Sequence, residues 1–537
     1  MTFAASGQVK EVPYDSDSTF YRLDLALKKP QQCYYLFLEH DTLTRLPAGF
    51  SSLNHLKGIT FRYCLQADWK QILSQLAELP GLSFLEISIC GISVLPDEIG
   101  RLQQIQSLNL KSNQLTVLPD ALQNCRNLSD LNLSFNRSLN FTVLSGILKS
   151  IPQLIALDLS NNLLKNFPPG LNELPGLQRL NLSDNRLLAL PGNLNDFHAL
   201  SSLDLSNNLS LKLQDEMVKL SAIASLRHLS LASNDLATLP ESTGSLVALE
   251  SLDLSGNRLQ SLPGSIEQLV QLKALNLGMD KDGQRRNRLK NFPAGFDRLI
   301  QLEDLNLSGD SVMSVPSAVA KFLKLKVLNL SWCTLFELSP AIRGLKHLEV
   351  LNIDHNHISR LPDWIGELSA LRELHADADF FAYPVDKIKL LPATIGNLQQ
   401  LQVLSLNDQV VTALPVTITQ CSQLHLLNLR GNLLSTLPDS FSRLTALNNL
   451  DLKANLLIRL PAQFERLTSL KNLNLSFNES LDMPAAVKQL QHMQQLEVVD
   501  VSYNKLDAAI YKELKNALPY TKIIAKGFNN LVPIENK

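Results

Sequence analysis

The sequence is poor in aromatic residues and in net charge. Only 6% of its 537 residues are aromatic and 19% are charged, and 49 basic residues nearly balance 51 acidic ones. The resulting net charge of −2 excludes the overall basic character that binders of nucleic acids and of anionic membranes usually carry. We therefore expect neither a nucleic acid nor a membrane as the partner.

Long hydrophobic runs, targeting segments and clustered cysteines are missing as well. No stretch of about 18 apolar residues lacks charged or polar breaks, so no membrane span is expected. The first residues, MTFAASGQVKEVPYDSDS, lack the basic and then apolar regions of a secretory signal. The cysteines, spread from Cys33 to Cys421 without CxxC or CxC spacing, favour neither a disulfide framework nor a structural zinc site. These features predict a cytoplasmic protein with reduced thiols.

Leucine, in contrast, is abundant and recurs with a period. The stretch beginning at Ile105, IQSLNLKSNQLTVLPDALQNCRN, returns at Leu249 and at Leu424 in the 23-residue frame LxxLxLxxNxLxxLPxxIxxLxx. Four repeats have 26 residues and two have 30. The twenty repeats start at residues 33, 56, 82, 105, 128, 154, 177, 200, 226, 249, 272, 302, 325, 348, 371, 401, 424, 447, 470 and 496.

Each position of this frame predicts a local structure. Alternation in Leu108-Asn109-Leu110 predicts a short strand with leucines inward and an exposed, small polar residue at position 5. Asparagine at position 9, as in Asn113, is expected to bond the backbone of neighbouring turns. Proline at position 15, as in Pro119, is expected to hold an extended segment and stop a helix. The 26-residue repeats replace this segment with helical text such as LQDEMVKLSAI.

These motifs resemble the leucine-rich-repeat superfamily, and specifically its 23-residue LPxxI class. That class includes intracellular scaffolds that bind Ras-type GTPases, plant Ras-group-related repeat proteins and many bacterial proteins. The resemblance implies an α/β solenoid, an arc of about 20 repeats with a parallel concave β-sheet and a largely extended or short-helical convex side. We expect an N-terminal segment with a cap helix over residues 1–32, the solenoid over 33–519, and a closing strand and tail over 520–537.

Catalytic signatures do not occur in the sequence. GxSxG, HExxH, Walker and GxGxxG motifs are missing, and the repeats leave no room for a separate catalytic domain. The cysteines occupy inward repeat positions, which disfavours a thiol nucleophile. The sequence therefore predicts a non-enzymatic scaffold without cofactor or metal, and a metal-dependent or thiol enzyme remains a remote alternative. A secreted bacterial effector that engages a host protein through the same face is the main alternative.

Two repeats insert seven residues just after the strand, where loops emerge at a rim of the concave face. The insertion Gly278–Arg288 carries three arginines, which favour a solvated loop over a site for phosphate or an acidic partner. Its Asp280 and Asp282 resemble part of a calcium loop, but the remaining ligands are missing. The second insertion, Ala376–Lys387, contains three aromatic residues and is expected to matter more for binding.

Because aromatic residues are scarce, those that interrupt the polar floor are the best candidates for partner anchors. The main predicted cluster comprises Trp332, His355, His357, His375, Phe380, Phe381 and Tyr383. A second cluster near the N-terminal end includes Tyr63 and Phe84. Two alternatives stay open: the histidines could bind zinc together with Asp354 and Asp377, and Phe380 and Phe381 could plug the solenoid. The resemblance implies a small GTPase or another signalling protein as partner, and a monomer is expected.

Overall fold

The computed structural model describes residues 18–40, 42–310 and 314–527. The chain divides into two compact units, residues 1–257 and 258–537. Both units consist of repeats that each contribute one strand to a parallel sheet, so every repeat packs mainly against its neighbours in sequence.

Unit 1 contains eleven strands within its described residues, and each strand pairs in parallel with the next along the chain. The strands are β1 Thr19–Phe20, β2 Tyr35–Glu39, β3 Gly58–Arg62, β4 Phe84–Ser88, β5 Ser107–Asn109, β6 Asp130–Asn132, β7 Ala156–Asp158, β8 Arg179–Asn181, β9 Ser202–Asp204, β10 His228–Ser230 and β11 Ser251–Asp253. The helices are α1 Leu23–Lys28, α2 Trp69–Leu76, α3 Phe141–Lys149 and α4 Leu213–Leu220.

Unit 2 repeats the arrangement with eleven further strands among its described residues, again paired in parallel and in chain order. The strands are β12 Ala274–Asn276, β13 Asp304–Asn306, β14 Val327–Asn329, β15 Val350–Asn352, β16 Glu373–His375, β17 Val403–Ser405, β18 Leu426–Asn428, β19 Asn449–Asp451, β20 Asn472–Asn474, β21 Val498–Asp500 and β22 Lys522–Ile524. The helices are α5 Met483–Leu490 and α6 Ala508–Ala517. In the described part of either unit, every helix is too short or too polar to cross a membrane.

The predicted repeat frame is confirmed. Each of the twenty predicted repeats contains one strand, which begins two residues after the predicted start, from Tyr35 in the first repeat to Val498 in the last. The helices α2, α3, α4 and α5 lie in the four 26-residue repeats, whereas most other repeats carry a short 3-10 helix instead. The predicted α/β solenoid, with a parallel sheet on one side and short helices on the other, is therefore present.

The proline at position 15 behaves differently from the prediction. Pro119 does not stop a helix but directly precedes the 3-10 helix Asp120–Asn124. Its carbonyl accepts the first hydrogen bond of that helix from the Leu122 N–H at 3.1 Å. The fixed φ of proline, −73° here, suits the extended residue before the first turn, so proline marks where the short helix begins.

The core lies between the strands and the short helices and consists mostly of leucine. In the repeat that starts at residue 105, the side chains at the frame's apolar positions are at most 2% exposed, namely Ile105, Leu108, Leu110, Leu115 and Leu118. Burying each such side chain contributes about 1.5–3 kcal/mol relative to an exposed one. Unit 2 adds phenylalanines in or directly after its short helices, where the rings of Phe296 and Phe322 meet edge to face at 5.5 Å.

The asparagine at position 9 connects neighbouring turns, as predicted. Asn257 is fully buried, and its Nδ2 donates to the carbonyls of Leu231 and Leu254 at 3.0 and 2.8 Å. Its Oδ1 accepts from the N–H groups of Asn234 and Leu236 at 2.9 and 3.1 Å. One side chain thus satisfies four buried backbone groups, which would otherwise lack partners.

Where position 9 is not asparagine, other side chains replace it. The Sγ of Cys333 lies 3.0 Å from the carbonyl oxygen of Leu307, which is 26 residues earlier like the partner of an asparagine. Gln409 makes both kinds of bond, because its Nε2 donates to the Ala376 carbonyl and its Oε1 accepts from the Ile388 N–H, each at 2.6 Å. The ladder therefore continues through repeats that lack the consensus residue.

The two repeats that start at residues 272 and 302 also continue the ladder. Asn287, inside the first insertion, donates to the Leu277 carbonyl at 2.7 Å and accepts from the Leu259 N–H at 2.9 Å. The sequence-based interpretation missed this residue, although NRLKNFP from Asn287 onward follows the frame NxLxxLP with Phe292 in place of the second leucine. In the next repeat, the buried Asp310 accepts from the Leu289 N–H at 3.2 Å, and its Oδ2 has no hydrogen-bond partner.

Position 5 is not the exposed floor that the sequence predicts. Asn276 is only 8% exposed, and its Oδ1 accepts from the Gly278 N–H at 3.1 Å. The same bond to the N–H two residues later is made by Asn109, Asn132, Asp158, Asn181, Asp204, Asp253, Asn306, Asn329, Asn352, Asp451, Asn474 and Asp500. These side chains fix the turn after each strand, which is why Asp and Asn dominate there. Burial raises the pKa of Asp204 to about 6.

The ends of the array differ from the repeats. Within the predicted N-terminal segment, Thr19–Phe20 forms a strand paired with β2, and α1 is followed by a 3-10 helix at Pro30–Gln32. At the other end, α6 begins after Asp507, whose carboxylate accepts from the Ile510 N–H at 2.8 Å, and β22 pairs with β21. Residues 1–17 of the predicted N-terminal segment and 528–537 of the predicted tail lie outside the described residues.

The six cysteines are free thiols and all are buried. Burial raises the pKa of Cys33 to about 11 and that of Cys125 to about 12. At neutral pH these sulfurs therefore remain protonated, in a form that is neither a good nucleophile nor a good metal ligand.

Candidate functional site

In all but two of the twenty repeats, the turn after the strand places position 8 in the left-handed backbone conformation; the exceptions are Met279 and Ala378, in the two repeats with insertions. Trp332 has φ 58° and His355 has φ 54°. Other residues of this position share the conformation whatever their type, namely His40, Tyr63, Ile89, Ser112, Phe135, Asn161, Asp184, Asn207, Ser233, Asp408, Ala454, Phe477 and Tyr503. The conformation costs a non-glycine residue roughly 1–2 kcal/mol, and hydrogen bonds between adjacent turns offset this cost. We call the row of position-8 residues in each unit the rim.

Aromatic residues in adjacent rim positions stack on each other. The rings of Trp332 and His355 lie 4.0 Å apart at an interplanar angle of 20°, and Trp332 is 41% exposed. The N–H of Trp332 donates to the Asp354 carbonyl at 2.9 Å, which fixes the backbone beneath the ring. Phe477 and Tyr503 stack in the same way at 4.3 Å. Stacking is therefore a general packing mode of this rim, and Trp332 presents its outer part to solvent.

His357 points to a different group of side chains. Its ring stacks on Phe336 at 5.3 Å, and its Nδ1 lies 3.4 Å from Oδ2 of Asp386, an ion pair when the ring is protonated. Phe336 is exposed and was missed by the sequence-based interpretation. The available signal was its place at position 12, where Thr116 and Lys165 stand in other repeats.

His375 lies on strand β16 and has a third kind of partner. Its Nε2 is 3.2 Å from Oε2 of Glu373, on the strand face, which we define as the side of the sheet formed by positions 3 and 5. Among the described residues, no group of three or more His, Cys, Asp or Glu side chains has an arrangement that could hold a metal ion. The zinc alternative thus has no ligand set at these histidines, since each is held by a separate neighbour.

The insertion Ala376–Lys387, which we call the aromatic loop, presents its rings to solvent. Phe380 is 70% exposed, Phe381 88% and Tyr383 75%. Phe380 and Phe381 contact each other edge to face at 5.3 Å. The alternative in which these rings plug the solenoid is therefore wrong, because their surfaces remain accessible rather than packed in the core.

The base of the aromatic loop is held by half-buried polar contacts. Oδ1 of Asp377 accepts from the Asn407 N–H and from the Ser405 hydroxyl, both at 2.7 Å, and its Oδ2 accepts from Asn407 Nδ2 at 2.9 Å. At the other end, the largely buried Lys387 donates from Nζ to the Phe380 carbonyl at 3.3 Å. A loop fixed at both ends loses less conformational entropy when a partner covers its rings.

The insertion Gly278–Arg288, which we call the basic loop, is closed by one of its own carboxylates. Oδ1 of Asp280 accepts from the N–H groups of Gln284 and Arg285 at 2.7 and 3.1 Å. Asp280 therefore stabilises a turn rather than a calcium site. Four exposed cations of the loop and its exit make no ion pair within the described part of the chain, namely Lys281, Arg286, Arg288 and Lys290.

The predicted second cluster is only partly accessible. Tyr63 is exposed on the rim and stacks on His40 at 4.3 Å. Phe84, in contrast, is only 9% exposed and is not available as an anchor. It lies opposite Gly58 in the sheet, and the ring of Tyr35 comes within 2.8 Å of where a Cβ on Gly58 would be. Because Gly58 has no side chain, the side chains of Tyr35 and Phe84 can pack above strand β3.

Similar solved structures include a bacterial leucine-rich-repeat protein and TLR13. A leucine-rich-repeat protein of Leptospira interrogans is 28% identical, with 90% of this chain and 99% of that chain covered and a TM-score of 0.46. TLR13, in its complex with ssRNA13, is 20% identical with a TM-score of 0.60, covering 92% of this chain and 82% of that one. At this identity the likeness to TLR13 shows the fold alone.

Family comparisons identify the repeats directly. The family described as leucine-rich repeat region matches residues 184–319, 315–406 and 390–525. A second family, described as leucine rich repeat, matches residues 80–137. No curated protein matches the chain significantly. Because the matched regions cover more than half of its length, the chain belongs to the leucine-rich-repeat proteins.

Proposed function

We propose that this protein is a non-enzymatic scaffold that binds another protein through the strand face and rim loops of unit 2. The observation that carries the proposal is the aromatic loop, whose Phe380, Phe381 and Tyr383 are exposed on a hydrogen-bonded base. Rings that remain mostly exposed contribute little to the stability of the fold, and aromatic residues supply much of the energy of protein interfaces. Trp332 and His355 extend this surface along the rim.

The strand face next to the loop supports the same function. Position 3 carries half-buried aliphatic side chains on β14, β15, β17 and β18, namely Val327, Val350, Val403 and Leu426. Between them, on β16, lie the polar Glu373 and His375. Apolar side chains interrupted by a few polar groups are typical of the central part of a protein interface.

The nature of the partner follows from the repeat class and from the charge. The LPxxI repeat resembles that of intracellular Ras-group-related scaffolds. This resemblance favours a small GTPase or another signalling protein in the cytoplasm as partner, with the scaffold itself a monomer. The near-neutral charge favours a protein over a nucleic acid or a membrane. Capture from the producing cell's own cytosol, compared with capture from a host lysate, would distinguish this function from that of an exported bacterial effector.

The test compares capture by matched variants of the full chain. The immobilised wild type and a Phe381→Ala/Tyr383→Ala variant are incubated with cytosol, and the captured proteins are quantified by mass spectrometry. Loss of anchors worth about 1–3 kcal/mol each should lower the capture of a specific partner at least tenfold. The control is Val416→Ala, an apolar residue that is 66% exposed in the 3-10 helix Val416–Gln420. Equal capture by all three proteins would contradict the proposed surface.

A further inference from the structure

The basic loop folds over the rim position of the repeat that follows it. That position is Gly309, with φ 75°, and a Cβ there would clash with the side chain of Met279 and lie 3.5 Å from Cβ of Arg286. Gly309 therefore leaves the space that the loop fills. The next rim residue is Trp332, one strand further along unit 2. The basic loop consequently ends beside the aromatic part of the rim rather than pointing away from it.

A continuous strip of the rim follows from this arrangement. Its order is the basic loop over Gly309, then Trp332, then His355, and then the aromatic loop after β16. Strands β13, β14, β15 and β16 are consecutive hydrogen-bonded neighbours. At about 4.8 Å per strand, three steps separate the two ends of the strip by roughly 14 Å. An extended peptide crosses this distance with about four residues.

The two ends of the strip differ in charge. The basic loop and its exit carry five cations, Lys281, Arg285, Arg286, Arg288 and Lys290, against two carboxylates, Asp280 and Asp282. The aromatic end carries four carboxylates, Asp354, Asp377, Asp379 and Asp386, against one cation, Lys387. A polyanion that spans the strip would be attracted at one end and repelled at the other. The best complement is a segment that is acidic at one end only.

We propose that this strip binds one extended segment of the partner protein, with Asp or Glu residues on the basic loop and large apolar side chains on Trp332 and the aromatic loop. The two groups are separated by about four residues, as the roughly 14 Å span requires. The inference rests on the proposed scaffold function and adds the chemistry of the partner. Charge complementarity selects the orientation, and burial of the rings supplies most of the affinity.

The probe is a fluorescent synthetic peptide made of a run of glutamates, a Gly/Ser spacer of about four residues and a Leu-Phe-Leu end. Its binding to the full chain is measured by anisotropy. Exchanging the glutamates of the peptide for glutamine should weaken its binding to the wild-type protein about tenfold. The Arg286→Gln/Arg288→Gln variant should likewise bind the glutamate peptide about tenfold more weakly than the wild type does. The same variant should bind the glutamine peptide like the wild type. Phe381→Ala should weaken both peptides. The control is Arg443→Gln/Arg466→Gln, two exposed arginines in the 3-10 helices Asp439–Arg443 and Phe464–Arg466.

Three outcomes would overturn the inference. The first is no measurable binding of the glutamate peptide, and the second is equal binding of a peptide with the same composition in scrambled order. The third is tighter binding of an oligothymidine probe that depends on both Arg286 and Phe381, which would mark a nucleic-acid surface. If Phe381→Ala abolishes partner capture while the arginine variant changes no peptide affinity, this inference fails and the proposed function stands.

Discussion

Replacing Asp310 with asparagine should stabilise the protein, and the gain should depend on pH. Asp310 occupies the ladder position, is 1% exposed, and uses only Oδ1, which accepts from the Leu289 N–H. Asparagines elsewhere in the ladder donate to the carbonyl three residues earlier, as Asn356 does to Ile353 at 2.9 Å. Asp310→Asn supplies this missing donor, and one such bond to a buried group contributes about 1–3 kcal/mol.

The pH dependence follows from the raised pKa of this carboxyl. Burial raises the pKa of Asp310 from 3.8 to about 8, so the folded state holds a proton that the unfolded chain releases above pH 4. Through Asp310, the wild type should therefore lose stability as pH rises from about 4 to about 8, by on the order of 1.4 kcal/mol per pH unit, and this contribution should not grow above about pH 8. The Asp310→Asn variant has no carboxyl group at this position and should not lose stability in this way. The difference between the two proteins should reach several kcal/mol at pH 8.

Urea denaturation of both proteins between pH 5 and pH 9 measures this difference. The control is Asp439→Asn, which removes the same charge from an exposed site at the start of a 3-10 helix. Cys333, whose pKa is raised to about 12 by its burial and by Asp310, titrates outside this range. A gap between wild type and Asp310→Asn that stays constant from pH 5 to pH 9 would refute the reasoning.

Three further predictions concern the ladder, the thiols and the aromatic loop. Asn257→Ala removes bonds to four backbone groups and should cost about 1–3 kcal/mol, whereas Asn276→Ala removes one turn bond and should cost about 0.5–1.5 kcal/mol in chemical denaturation; a larger cost for Asn276 would contradict the assignment. Thiol titration of denatured, non-reduced protein should find all six cysteines free, and four or fewer would disprove this. Phe381→Ala should change the unfolding free energy by no more than about 0.5 kcal/mol, because its ring is exposed; clear destabilisation would mean that the ring packs on the fold.

The repeat frame was predictable because leucine spacing and strand register have the same physical cause. A strand that shifts by one residue moves its leucines out of the core, so the pattern fixes the start of every strand from Tyr35 to Val498. The longer repeats were equally informative, since three additional residues accommodate a real α-helix such as α3. These features depend only on local sequence and on a neighbour of the same kind.

The burial of polar and aromatic residues on the strand face was not predictable. Asn276 and Phe84 occupy outward positions of a strand, and alternation alone assigns both to solvent. The burial of Phe84 depends on the neighbouring strand, where Gly58 has no side chain. The burial of Asn276 depends on its hydrogen bond with the N–H of Gly278, two residues later. Asp310 illustrates the same limit. Its pKa is raised by burial, and this burial depends on neighbouring repeats that a single repeat does not contain.

The left-handed backbone conformation at position 8 does not depend on which side chain stands there. Its backbone angle is nearly the same for Ser112, Phe135, Asp184 and Ala454, so the side chain there contributes little to holding the turn. A mutation at the rim can thus exchange a hydroxyl for a ring or a carboxylate while the scaffold beneath keeps its geometry. New binding specificities are accessible to such a protein through single substitutions, without a compensating change in the core.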